Sequence, residues 1–159
     1  MIHVDRYEKI WIYVAVAMLL IFGAAITVSA FATGIQLPSP EMRVDPRLVA
    51  TPGATSFGEP GLRELAPGKF EARILAQTWS FKPNEIKVKA GSKITFYVTS
   101  KDVIHGFHID ETNVNFMIIP GQVSKLSHTF DKPGTYKILC HEYCGIGHQT
   151  MFAQIIVEP

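Results

Sequence analysis

From Ile10 to Ala32 the chain reads IWIYVAVAMLLIFGAAITVSAFA, about two dozen residues without a charged side chain. Roughly 20 apolar residues, each rising about 1.5 Å along a helix, cross the hydrocarbon core of a bilayer. The run predicts one transmembrane helix within an anchor of residues 1–32, with Trp11, Tyr13 and Phe31 near its ends, where aromatic rings suit the lipid–water boundary. A cleavable signal peptide would have a shorter apolar core, and only Val28-Ser29-Ala30 offers it a small-residue cleavage site. Arg6 and Lys9 precede the run, whereas the nearest downstream cations are Arg43 and Arg47. That bias places the N-terminus in the cytoplasm and the rest of the chain outside, a single-pass protein of the cell membrane.

The remainder of the chain is small. Its 159 residues in all leave room beyond the anchor for one compact domain. Fifteen Lys and Arg against 14 Asp and Glu give a net charge of +1, so no basic field exists to bind a nucleic-acid backbone. Residues 33–68 carry six of the ten prolines and no sustained period, and read as an extended Pro-rich linker. Met42, Val44, Val49, Phe57 and Leu62 make it more apolar than a free spacer, so part of it is expected to pack on a partner.

Residues 69–159 alternate in short runs bounded by turns, the pattern of a β-sandwich or barrel. Ile94, Phe96 and Val98 take one face of a strand while Thr95, Tyr97 and Thr99 take the other. Further strands are expected at Phe70–Ala76, Phe116–Ile119, Ser124–Phe130, Thr135–Cys140 and Phe152–Val157, with Pro120-Gly121 and Lys132-Pro133-Gly134 as turns.

The chemistry concentrates in Cys140-His-Glu-Tyr-Cys144-Gly-Ile-Gly-His148-Gln-Thr-Met151. Thiolate and thioether are soft ligands and imidazole binds copper in either oxidation state, so the set selects copper over calcium or magnesium. Gly145 and Gly147 let the backbone turn tightly enough for His148 and Met151 to return to the two sulfurs. A second imidazole must come from Val103-Ile104-His105-Gly106-Phe107-His108. Two histidines three apart on an extended segment face opposite ways, so one binds, and spacing does not choose between them. Zinc leaves Met151 unexplained, and a Cys140–Cys144 disulfide leaves both His148 and Met151 unexplained. The spacings fit neither covalent haem nor an iron–sulfur cluster.

VIHGFHI together with C-x3-C-x3-H-x2-M, behind a single N-terminal helix, resembles subunit II of the haem-copper cytochrome c oxidases, with the wording closest to their B-type branch. The resemblance implies an all-β cupredoxin-like Greek-key barrel on one transmembrane α-helix, and a binuclear copper centre, CuA. It further implies that Cys140 and Cys144 bridge both ions, that His105 and Met151 complete one, and that His148 and the carbonyl of Glu142 complete the other. In such oxidases the electron comes from a soluble cytochrome c or similar carrier. It leaves for haem in subunit I, where oxygen is reduced to water with proton pumping, and a small membrane subunit can accompany the pair. This chain has no haem site of its own.

Trp79 stands where the family carries aromatics near copper, as either the contact through which the electron arrives or a core side chain. Asp102 either orients a ligand imidazole or caps a turn. The Glu142 side chain resembles one that helps hold magnesium in the mitochondrial-type branch. His3 and His128 read as bystanders, His141 as solvent-facing, and Met18 and Met117 as packing. A membrane-anchored copper chaperone would carry its cysteines early in a thioredoxin-like fold, and a single-copper electron shuttle would leave one thiol idle.

Overall fold

The computed structural model describes residues 4–159, so His3 lies outside the described residues. The chain forms two units, residues 1–35 and 36–159. In the first, helix α1 spans Arg6–Thr33. It starts at Asp5, whose carboxylate accepts the Tyr7 N–H at 2.8 Å, the side-chain cap that satisfies an orphan donor of the first turn. It stops at Gly34, which takes the left-handed conformation (φ 61°) that a side chain disfavours. With a mean hydropathy of 2.4 over its most apolar stretch, α1 is long and apolar enough to cross a membrane.

The second unit is two β-sheets. One holds β1 (Ser39–Arg43), β2 (Gly61–Ala66), β3 (Lys69–Gln77), β4 (Ser80–Lys82), β6 (Ser92–Ser100) and β9 (Gln122–Phe130), in the order β1-β9-β6-β3-β2 with β4 beside β3. The other runs β5-β11-β10-β7-β8, from β5 (Glu85–Lys89), β7 (His105–Ile109), β8 (Asn115–Ile118), β10 (Gly134–Leu139) and β11 (Phe152–Glu158). β3 lies parallel to β6 and β5 parallel to β11; the other pairings are antiparallel. The expected strands are all present, with ends shifted by at most two residues.

Alternation decides what is buried. Ile74, Ile94, Phe96 and Val98 of the first sheet meet Phe107, Ile109, Ile118, Ile138 and Ile155 of the second in one core. Phe107 is its hub, with ring centroids 5.9 Å from Phe81, 5.8 Å from Phe96 and 5.1 Å from Phe116.

The Pro-rich stretch differs from the linker expected over 33–68. β1 and β2 form the two edges of the first sheet, and the segment between them lies across that sheet's outer face. Val49 and Phe57, 2% and 1% exposed, pack there on Leu75 and Val123 of this chain's own sheet. Arg73 fixes the strap by donating to the carbonyl of Phe57 at 2.5 Å while paired with Glu71 at 2.7 Å. Proline obscured the strands because it suits an edge or a bulge, and the register of β1 against β9 slips between Pro40 and Met42.

Phe57→Ala should cost about 3–5 kcal/mol in a denaturant titration, as expected for emptying a closed apolar site. His128, half-buried on β9, is held below its ordinary pKa by burial, against a small opposing pull from Asp131. The unfolded chain therefore takes up that proton first. Stability should be complete above about pH 6.5 and decline as pH falls through the lowered value, and His128→Gln should remove that part of the decline.

Candidate metal centre

β10 and β11 are antiparallel neighbours whose last rung is Leu139 opposite Phe152. Residues 140–151 form the loop between them, closed by the Cys140 N–H donating to the Met151 carbonyl at 3.3 Å. A short 3₁₀ turn, His148–Thr150, brings Met151 back beneath the cysteines. Gly145 has φ 117°, which a side chain would strain. Gly147 has an ordinary φ of −95°, and its reason is different: a Cβ there would stand 2.5 Å from the Trp79 ring.

The donor atoms converge. Cys140 Sγ lies 3.8 Å from Cys144 Sγ, 3.3 Å from the Glu142 carbonyl oxygen and 3.9 Å from His105 Nδ1. Cys144 Sγ lies 3.6 Å from His148 Nδ1 and 3.7 Å from Met151 Sδ. Both cysteines are free thiols, and their separation is well beyond the roughly 2.05 Å of a disulfide. Among the described residues, His105, Cys140 and Cys144 form the one set of three His, Cys, Asp or Glu side chains close enough to hold a metal ion, with ligand atoms within 4.8 Å of one another. His105, Cys140, Cys144 and Met151 are buried, with Met151 only 3% exposed.

The two histidines are placed differently. His105 points into the barrel and is fully buried. His108 faces the other way, its Nδ1 3.2 Å from the Val114 carbonyl and its Nε2 3.5 Å from Asp110. Asp102 orients the His105 ring: Oδ1 lies 2.9 Å from Nε2, which leaves Nδ1 for the sulfurs. The same carboxylate accepts the Thr78 N–H at 2.7 Å, the Thr78 hydroxyl at 3.0 Å and the Val103 N–H at 2.7 Å. Burial alone raises the Asp102 pKa, but the bonds from Thr78, His105 and Val103 outweigh it and hold the carboxyl at about 2. Burial, reinforced by the Cys140 thiol and the Asp102 charge, pushes the Cys144 thiol up to about 11.

Trp79 lies against the loop. Its indole N–H donates to the Cys144 carbonyl at 3.1 Å, and the residue is 41% exposed. His141 Nε2 lies 3.2 Å from the Phe116 carbonyl, and its ring stands outside the donor cluster. Thr78 and Gly106, which the sequence did not single out, both touch this machinery. Their signal was position alone: each adjoins a residue already chosen for its chemistry.

The donor set fits copper. Two thiols, two imidazoles and a buried thioether at one point suit a soft, redox-active ion, whereas a structural zinc site has no use for Met151. A metal–sulfur bond of roughly 2.3 Å allows one ion to touch both sulfurs at their present separation.

Fold and site thus define a cupredoxin-like domain with a candidate metal centre, in a chain that begins with an apolar helix. Residues 71–159 match the family model for cytochrome c oxidase subunit II, periplasmic domain. Cytochrome c oxidase subunit 2 of Thermus thermophilus is 40% identical over 155 residues, covering 96% of this chain and 92% of that protein. A solved haem-copper terminal oxidase dimer contains a chain that is 38% identical, with a TM-score of 0.77 over 96% of this chain and all of that one. The periplasmic domain of subunit II from Bradyrhizobium japonicum, 24% identical, shares the fold with a TM-score of 0.51 over 55% of this chain and 82% of its own. Part of this domain also resembles nitrous-oxide reductase of Cupriavidus necator, at 33% identity over 94 residues and only 15% of that protein. The chain belongs to the cytochrome c oxidase subunit II family.

Asp102→Ala should cost about 1–3 kcal/mol in the metal-free chain, because it strands the buried His105 nitrogen, and Asp102→Asn should cost less. Thermal unfolding of the three chains side by side checks the order.

Proposed function

We propose that this chain receives electrons for a haem-copper oxidase at a binuclear copper centre, CuA, held by His105, Cys140, Cys144, His148, Met151 and the carbonyl of Glu142. One observation carries the reading. His105 and Met151, the pair assigned to one ion, stand beside Cys140 and Cys144 respectively. Glu142 and His148, the pair assigned to the other, also stand one beside each sulfur. Each pair thus flanks both thiols, the arrangement that two shared sulfurs require.

Copper held by these residues would supply reversible one-electron chemistry. The protein's part is to keep geometry constant. Asp102 fixes the His105 ring, the barrel fixes the strand that carries it, and burial of Cys140, Cys144 and Met151 keeps water from reorganising around the charge. Cys144, whose thiol pKa is raised by burial, would have to give up its proton for a metal to bind, so copper uptake should weaken as pH falls.

The electron comes from a soluble cytochrome c-type donor and leaves for haem in subunit I, with a small membrane subunit as a third member. The helix holds the domain on the outer side of the cell membrane, with its N-terminus in the cytoplasm. Trp79 supports its role as the arrival contact by being exposed on one side and hydrogen-bonded to the Cys144 peptide on the other. In the adjoining segments Tyr143 and Ile146 of the 140–151 loop and Val103 and Ile104 ahead of β7 are also exposed apolar side chains. Residues 69–159 carry ten Lys and Arg against eight Asp and Glu, so no acidic field steers a basic donor.

Metal analysis of the full-length chain in detergent tests the assignment. Two coppers per chain are expected, and Cys144→Ser should abolish the pair; one copper per wild-type chain would instead make it a single-ion shuttle. Reduction by the donor cytochrome should change by less than about threefold between low and high salt, since an apolar contact is little screened. A steep loss of rate with salt would contradict the docking surface.

A further inference from the structure

The geometry points to Gly106 as the positioning residue of the metal-binding loop, a role that rests on the copper reading above. Gly106 lies in β7 between His105 and Phe107, is buried, and pairs with Met117 of β8. Nothing in its backbone requires glycine, since its φ lies outside the left-handed range that disfavours side chains. What excludes a side chain is the loop. A Cβ on Gly106 would stand 2.5 Å from the backbone nitrogen of His141, 2.7 Å from that of Glu142 and 2.5 Å from Cγ of the His141 ring.

Two of those three neighbours are main chain, which cannot swing aside as a side-chain tip does. Carbon contacts are comfortable only at about 3.5–4.0 Å, so even a methyl group would force the His141–Glu142 peptide off the strand. That peptide leads directly to the Glu142 carbonyl, 3.3 Å from Cys140 Sγ. On the opposite face of the same strand, His105 presents Nδ1 to Cys140 Sγ at 3.9 Å. β7 therefore gives the site a ligand from one face and a seat for the loop from the other. The bare backbone of Gly106 sets the spacing between loop and strand, and with it where the carbonyl stands relative to the thiols.

The test compares full-length wild type, Gly106→Ala and Gly106→Ala/His141→Ala in detergent. Two coppers in the wild type establish the copper reading, and their absence would end that reading before Gly106 is at issue. With that centre present, Gly106→Ala should lower copper affinity about 10- to 100-fold, as changes behind metal ligands do. It should also alter the electron spin resonance hyperfine pattern and the reduction potential, while the metal-free chain stays folded and melts no more than about 10 °C below wild type, as overpacking confined to one loop would cost. The double variant should stay altered, because trimming the ring leaves both backbone contacts. Wild-type affinity, spectrum and potential in Gly106→Ala would overturn the proposal. So would their restoration in the double variant, which would assign the effect to the His141 ring. A large drop in metal-free melting temperature would overturn it too, by showing that Gly106 serves the sheet rather than the loop.

Discussion

The candidate metal centre hangs on one pairing, β10 with β11, whose last rung sets Leu139 opposite Phe152 and whose next bond ties the Cys140 N–H to the Met151 carbonyl. That bond makes residues 140–151 a closed loop with fixed ends, so two thiols, an imidazole and a thioether must share a small space. β7 pairs with β10 at Ile138–Ile109 and Leu139–His108, which brings His105 to the same end of the barrel. A slip of one residue in either pairing would turn the whole set of side chains to the other face.

Gathering these donors without a metal has a cost that the fold meets by giving each polar atom a partner. Among the described residues no buried side-chain nitrogen or oxygen lacks a hydrogen bond. Asp102 contributes most, joining the His105 ring, the Thr78 turn and the start of β7 through one carboxylate. Because Thr78 precedes Trp79, whose indole bonds the Cys144 carbonyl, the buried His105 and the exposed tryptophan are held by a connected set of bonds.

Much of this was legible in the sequence. The helix stood out because about two dozen uncharged apolar residues have few other uses, and the strands because their alternation has the period of a sheet buried on one face. The loop stood out because soft ligands rarely cluster by chance. What was not legible was long-range. Spacing put His105 and His108 on opposite faces, yet only the register of β7 against β8 and β10 shows which face looks inward. The prolines of 33–68 suggested a linker, because a proline on a sheet edge and a proline in a free chain read alike. Gly147 looked like a turn residue and proves to be a space left for Trp79, a contact across 68 positions of sequence that no local pattern records.

The barrel holds the donor atoms in place before any metal arrives. A high-resolution crystal structure of the reduced, metal-free domain and its copper-loaded counterpart tests it most directly. The sulfurs should stay near 3.8 Å apart in both, with the His105 ring still bonded to Asp102. A metal-free loop that refolds, with His105 turned away from Asp102 or the sulfurs drawn apart, would contradict it.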